Sequence, residues 1–282
     1  MDDTDLVVDR LERADVDAAL DLSTRAGWDT GRSDWRRLVD LDAVDAFAGR
    51  AGGRLVATAT LARYGTRVGW IGMMLVHPDH RRRGYGGRML GACLDRADDA
   101  GVATVGLDAN PVGKPLYDEN GFVEVAEVTR WHGSVDGSTS GDRITTVTEV
   151  DPLFPLDSRA SGVDRGFLLE ALLAEESVSG LLRWDPDGTP AGYALAVQGE
   201  SGVTVGPLVA EDAGTAAALM RAASHRTGGP LTVDAVGNPR SEALYRELGL
   251  EHQRSLVRMT HGEPAEPLMG DLVWGLLSFE FG

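Results

Sequence analysis

The chain has 282 residues, 43% of them hydrophobic, and carries 44 acidic against 27 basic side chains for a formal net charge of −17. That length favours two cores over one, and the acid excess argues against nucleic acid as a partner, since phosphate binding needs a basic face. No apolar stretch reaches the roughly 18 residues of a membrane span, and a lone cysteine, Cys93, rules out an internal disulfide framework.

The opening MDDTD lacks the basic-then-apolar layout of a secretory signal, so a cytoplasmic address is expected. Lys114 is the only lysine, the other 26 basic residues being arginine. An acidic, lysine-poor surface suits a salt-rich, halophilic setting, where about 1 M salt shortens the Debye length to roughly 3 Å and screens self-repulsion.

Taken along the chain, Asp15 to Arg25 has helical spacing, and Ser33 is placed to cap a short helix through Leu38. Leu55–Leu61 and Val68–Val76 read as strands, with a turn near Tyr64-Gly65. The second strand runs directly into Pro78, then into a loop containing Arg81, Arg82, Arg83, Gly84, Tyr85, Gly86, Gly87 and Arg88. A helix follows from Gly87 to Asp99, with Met89, Leu90, Cys93, Leu94 and Ala97 on one stripe and Gly101 as its stop. Cys93 on that stripe is read as a small buried hydrophobe. An arginine run is usually a solvated face. Here a strand delivers the chain, glycines let it turn tightly, and the free amides of a helix start face whatever sits there, which makes an anion site for a phosphate-bearing ligand.

Thr104–Asp108 is a short strand, and Leu116–Asn120 ends a short helix stopped by Gly121. The stretch 132–142, HGSVDGSTSGD, reads as a linker or exposed loop. Beyond it, Gly166–Glu175 and Ala213–Ser224 read as helices, and Leu181–Arg183, Ala191–Val197, Val203–Val209 and Leu231–Val236 as strands. The apolar stretch Leu268–Phe281 is expected to add a strand or to pack between the halves. His77 and His80 lack the spacing and carboxylate partner of a metal site, so turn and loop roles are expected.

The two halves repeat. Asn110-Pro111 is followed by Tyr117 at a spacing of seven and then by Gly121-Phe122; Asn238-Pro239 is followed by Tyr245 at the same spacing and then by Gly249-Leu250. Upstream, Ile71-Gly72-Met73-Met74-Leu75-Val76 parallels Val205-Gly206-Pro207-Leu208-Val209-Ala210. Two matched features in one order point to duplication, and the mixture of helices with hairpin-connected strands indicates an α+β class.

These residues resemble the GNAT superfamily of N-acetyltransferases. Val76-x-Pro78 with Arg81-x-x-Gly84-x-Gly86 resembles that family's acetyl-CoA motif, and Asn110 through Leu116-Tyr117-x-x-x-Gly121-Phe122 its second signature, over roughly residues 5–131. The second half resembles the degenerate domain of tandem, YitH-like members in Asp157-x-x-x-Ser161-Gly162-x-Asp164-Arg165 and Arg258-Met259. The resemblance implies two tandem GNAT-like domains, each a mixed, mostly antiparallel sheet flanked by helices. Residues 1–132 would be the catalytic acetyl-CoA-binding domain, 133–142 a linker, and 143–282 the degenerate copy.

It also implies roles. Acetyl-CoA, as co-substrate, would lie between splayed strands ending near Val76 and Asp108, held by the backbones of Leu75 and Val76, with the amides of Arg81–Arg88 on its pyrophosphate. Asn110 would contact the cofactor arm, and Tyr117 would protonate the departing thiolate. A phenol of pKa about 10 against a thiol of about 8.5 suits that late proton transfer. The base is left open between Asp108 and a water chain to another carboxylate. The second copy reads Glu211-Asp212-Ala213-Gly214-Thr215 where a pyrophosphate would sit, so only the first is expected to bind acetyl-CoA, with Asp212 capping the next helix. The expected partner is a small-molecule or protein amine acceptor, with a homodimer left open and no membrane or metal involved. The alternative is a non-catalytic CoA-binding sensor or scaffold.

Overall fold

In the computed structural model, which describes residues 6–137, 143–199, 202–264 and 268–282, the first half runs β1 (Val7–Arg10), α1 (Val16–Arg25), α2 (Arg32–Asp40), β2 (Val44–Ala51), β3 (Arg54–Tyr64), β4 (Val68–Val76), α3 (Tyr85–Asp99), β5 (Thr104–Ala109), α4 (Lys114–Glu119) and β6 (Val123–Gly133). The second half runs β7 (Ile144–Val147), α5 (Phe154–Ser161), α6 (Gly166–Leu173), β8 (Val178–Trp184), β9 (Pro190–Gly199), β10 (Gly202–Ala210), α7 (Ala213–Thr227), β11 (Leu231–Val236), α8 (Pro239–Glu247), β12 (Glu251–Gly262) and β13 (Val273–Gly275). Ser33 is inside α2 rather than at its cap. Asp34, at the third helical position, accepts from the Gly31 amide at 2.8 Å, which starts the helix earlier. Of the stretch 132–142 read as a linker, His132 and Gly133 instead end β6 beside β11, 134–137 lacks regular structure and 138–142 lies outside the described residues.

Among the described residues the strands join one sheet of 13, in the order β1-β2-β3-β4-β5-β12-β6-β11-β10-β9-β8-β7, with β13 on β10. The halves therefore exchange strands. β12, from the second half, lies between β5 and β6, with Arg258 opposite Asp108 and Leu256 opposite Val128. β6, from the first half, lies between β12 and β11, with Arg130 opposite Asp234. The exchange is locked by two matching ion pairs. Arg258 grips Asp108 through Nε and Nη2, both at 2.9 Å, and Arg130 grips Asp234 in the same way, both at 2.7 Å. Each arginine also lies over an aromatic ring, Arg258 at 4.4 Å from that of Trp70 and Arg130 at 4.9 Å from that of Phe279.

Strand alternation sorts side chains into layers. From β3, Ala57, Ala59 and Leu61 join Met89, Leu90 and Cys93 of α3 in one core. Ala62 and Tyr64 face the opposite layer, where a cluster spanning both halves holds Trp35 and Leu38 of α2, Trp70 of β4, Leu168 of α6 and Phe281. A third core lies under α7 and α8 and includes Trp131, Tyr245 and Trp274. Burying a side chain the size of Trp35 or Trp70 removes about 150–250 Å² from water, an upper bound of about 4–6 kcal/mol each before entropy. In the second half, Asp157 and Arg165 form a buried pair at 2.7 Å, with the Tyr193 hydroxyl donating to the same carboxylate. The Asp157…Arg165 motif thus supports packing.

Candidate active site

β4 and β5 are parallel but pair only from Val68–Trp70 to Thr104–Gly106. Beyond that point each strand keeps its outer partner: Leu75 and Val76 stay on β3, while Asp108 and Ala109 stay on β12. A register shift between Thr58 and Thr60 of β3 accompanies the parting, and Met73 opposite it takes a left-handed φ of 49°, unusual for a branched-free but bulky residue. The Thr58 hydroxyl donates to the Met73 carbonyl at 2.8 Å and pins that bulge. The facing edges of β4 and β5 then diverge into a wedge lined at its mouth by Leu75, Val76 and Ala109.

The loop leaving β4 folds as an exposed cradle. Left-handed backbone at Arg82 (φ 58°) and Gly84 (φ 79°) turns the chain into α3. Among the described residues, the amides of Arg82, Arg83, Gly84, Gly86 and Gly87 have no backbone acceptor, as expected before and within a first helical turn. Arg81 donates from Nε to the Val76 carbonyl at 3.1 Å, and Arg83 donates to that of Asp79 at 3.2 Å, so two of the arginines brace the loop that carries them. Arg82 and Arg88 are exposed beside them, and the Tyr85 ring is buried against the α3 core. Gly86 packs close to Leu116, where a Cβ would come within 3.2 Å of Cδ2. Asn110 accepts from the Gly113 amide at 2.7 Å and shapes the turn into α4.

Tyr117 projects from α4 into the α3 core, with its ring edge-on to Phe122 at 5.8 Å. Its hydroxyl has no hydrogen-bond partner in the protein among the described residues. Burial, reinforced by Cys93, pushes the phenol well above its ordinary pKa, so it holds its proton until a strong acceptor appears. Cys93 is itself buried and its thiol pushed up by that burial, in keeping with a packing role.

The second half repeats the wedge and fills it. β10 and β11 pair in parallel only from Val203–Thr204 to Leu231–Thr232. Into the gap comes β13, antiparallel to β10, with Leu208 opposite Gly275 and Val209 opposite Val273. The Leu276 amide donates across to the Asp234 carbonyl of β11 at 2.7 Å, and the Trp274 indole donates to that of Ala210 at 3.0 Å. Tyr245, the counterpart of Tyr117, donates its hydroxyl to the Trp274 carbonyl. Asp212 caps α7 by accepting from the Thr215 amide at 2.7 Å, and Glu211 pairs with Arg159. The expected extra strand from Leu268–Phe281 is β13, and the residues after it reach the first half, as described below.

One sequence candidate is removed. Both Asp108 carboxylate oxygens are held by Arg258, and neither side chain has any solvent exposure. An acid so committed cannot take a proton from an incoming amine. His77 and His80 lie edge-on at 5.8 Å in the loop, and the described residues contain no cluster of His, Cys, Asp or Glu suited to a metal ion. A cleft of about 390 Å³ opens between the halves, lined by Asp29, Asp34 and Arg37 from the α1–α2 region and by Glu175, Ser177 and Gln198 from the second half. Arg37 bridges its carboxylates, meeting Asp34 at 3.0 Å and Glu175 at 2.7 Å.

Two family models match this chain: the acetyltransferase (GNAT) family over residues 13–122 and an acetyltransferase (GNAT) domain over residues 153–275. The chain is a tandem GNAT protein. The uncharacterized N-acetyltransferase YitH of Bacillus subtilis (strain 168) is 28% identical to it over 231 residues, 80% of either chain. The holothin acyltransferase of Pseudoalteromonas sp. (strain SANK 73390) is 27% identical over 213 residues, covering 74% of this chain and 71% of that one. Among solved structures, a putative acetyltransferase from Pyrococcus horikoshii superposes with a TM-score of 0.86 at 20% identity, covering 100% of this chain and 98% of the other. A tandem GNAT protein from the clavulanic acid biosynthesis pathway gives 0.67 at 18% identity, over 93% and 100%. The GNAT assignment makes the protein an acyltransferase, and the tandem GNAT fold is the one described above.

Proposed function

We propose that this GNAT protein moves the acetyl group of acetyl-CoA to a primary amine, on a small molecule or a protein, by direct attack in the wedge of the first half. The contrast between the two wedges carries the reading. One has an exposed cradle of amides and a tyrosine hydroxyl with no protein partner among the described residues; the other is filled by β13, with its tyrosine hydroxyl held by Trp274. In this reading the backbones of Leu75 and Val76 orient the pantetheine and thioester, amides from Arg81 to Arg88 take the pyrophosphate, and Asn110 touches the cofactor arm. Tyr117 protonates the departing sulfur. Residues 1–132 form the catalytic unit, completed by β12, while 143–282 support it and close one side of the inter-half cleft. Calorimetric titration with acetyl-CoA should give one site per chain, and supplying an amine should release free thiol. Two sites per chain, or binding with no thiol release from any amine, would overturn the proposal.

A further inference from the structure

After leaving the second wedge, the chain crosses to the first. The Trp70 indole donates to the Phe279 carbonyl at 3.0 Å, and the Tyr64 hydroxyl donates to that of Phe281 at 2.7 Å. Between these anchors Glu280 lies directly on Gly72. A Cβ at Gly72 would sit 2.6 Å from the Glu280 Cα and 2.8 Å from its carbonyl oxygen, so only glycine admits the contact. Gly72 immediately precedes Met73, the bulge at which β4 parts from β5.

We propose that Glu280 is the catalytic base that takes the ammonium proton of the acceptor, presented at the first wedge by the same segment that fills the second. The inference rests on the acetyltransferase reading above and names the group that reading leaves unassigned.

Three observations favour Glu280 over its neighbours. First, four carboxylates nearby are committed: Asp108 to Arg258, Asp234 to Arg130, and Asp34 and Glu175 to Arg37. Glu280, by contrast, has no salt-bridge partner among the described residues. Second, Thr60 is opposite Gly72 in the sheet, so its side chain faces the layer that Glu280 covers. The Thr60 hydroxyl is fully buried and has no hydrogen-bond partner among the described residues, which leaves it free to meet a polar group on that layer. Third, the groups around Glu280 set it up to accept a proton. Asp34 and Arg37 of α2, Tyr64 of β3 and Arg130 of β6 all act on it electrostatically. Burial, followed by the charge of Asp34, holds its carboxyl above the usual range despite its own backbone amide, Arg37 and the Ser278 hydroxyl, making it a stronger base than an exposed glutamate.

The ammonium gives one proton to the Glu280 carboxylate, and the freed nitrogen lone pair forms the C–N bond at the thioester carbonyl. The C–S bond breaks with its electron pair on sulfur, which takes the Tyr117 hydroxyl proton. A second nitrogen proton restores Tyr117, and Glu280 releases its proton to solvent.

The test uses the full chain, acetyl-CoA and a panel of primary amines, with thiol release measured against pH. Glu280→Gln should bind acetyl-CoA as the parent does and lose about 10²–10⁴-fold in kcat/KM for alkylamines protonated at neutral pH, along with the acidic limb of the profile. Amines of pKa about 5, already neutral, should lose less than tenfold. Glu280→Asp should recover part of the loss. Asp34→Asn, which leaves Glu280 in place, should move the acidic limb to lower pH by removing a repelling charge and freeing Arg37. An unchanged limb in both Glu280→Gln and Asp34→Asn, or an equal loss for every amine, would overturn the base role. If Glu280→Gln fails to fold, the Asp34→Asn limb decides. Thiol release by the parent that Glu280→Gln retains at full rate overturns the base role alone; no thiol release by the parent with any amine overturns the acetyltransferase reading and the base with it.

Discussion

Tyr117 and Tyr245 occupy the same position in the two repeats, yet among the described residues only the Tyr245 hydroxyl is engaged by the protein, at the Trp274 carbonyl. Removing the two hydroxyls should therefore have opposite consequences. Tyr117→Phe should lower turnover by about 10²–10⁴-fold with acetyl-CoA affinity nearly intact. Tyr245→Phe should leave turnover within a few-fold but cost about 1–3 kcal/mol of stability, since it orphans a buried carbonyl. Steady-state kinetics and urea unfolding of the two variants separate the roles.

The buried pair between Arg258 and Asp108 joins the halves at the base of the first wedge. Arg258→Met strands a carboxylate with no access to water and should destabilise the protein by about 3–5 kcal/mol. Arg130→Met should cost less, because Arg130 is 28% exposed and water can reach part of its site. Urea midpoints at constant slope provide the comparison.

Gly84 holds a left-handed φ of 79° with nothing within 4 Å of where a Cβ would stand. Gly84→Val therefore acts through backbone strain, about 1–2 kcal/mol, rather than through a clash. The expected outcome is at least tenfold weaker acetyl-CoA binding by calorimetry, with a melting temperature changed by only a few degrees. Arg82→Gly relieves strain at φ 58° and should preserve the fold while weakening binding by the loss of one charge.

Glu280 also links stability to pH. Its folded carboxyl titrates above the unfolded one because of burial and Asp34. The favourable contribution of its protonated form is thus complete below the unfolded pKa and lost as pH rises through the folded one. Glu280→Gln, which never ionises, should melt higher than the parent at pH 7, and the difference should vanish near about pH 4. Melting curves across that range carry the sign.

A net charge of −17 predicts a melting temperature that climbs from dilute buffer to multimolar sodium chloride, as self-repulsion is screened. Equal melting temperatures in the two conditions would remove the halophilic interpretation.

Much of this was readable from local pattern. The apolar run Val68–Val76 and the stripe Met89, Leu90, Cys93, Ala97 depend on neighbours a few residues apart and are found on β4 and α3, while the loop between them ends at Gly84, two residues earlier than its glycines suggest, because α3 already begins at Tyr85. The Asp212 cap is equally local. Duplication was visible in the spacing of Asn110 to Tyr117 and of Asn238 to Tyr245 because the turn and helix that need those residues recur. Asp108 misled for a non-local reason. Its position beside the wedge is legible in the chain, whereas the guanidinium that occupies it comes from β12, 150 residues away.

Strand identity, the loop that turns into α3 and the repeat itself follow from φ preferences, side-chain alternation and spacing, which any short window of residues contains. Strand partners do not. Whether β12 lies beside β5 or beside its own half, whether β13 enters the second wedge, and whether Glu280 reaches Gly72 are decided by which edges and apolar faces remain unpaired once the whole sheet is assembled. Backbone hydrogen bonds in a sheet are indifferent to side-chain identity, so the choice falls to long-range burial and to the two arginine–aspartate pairs.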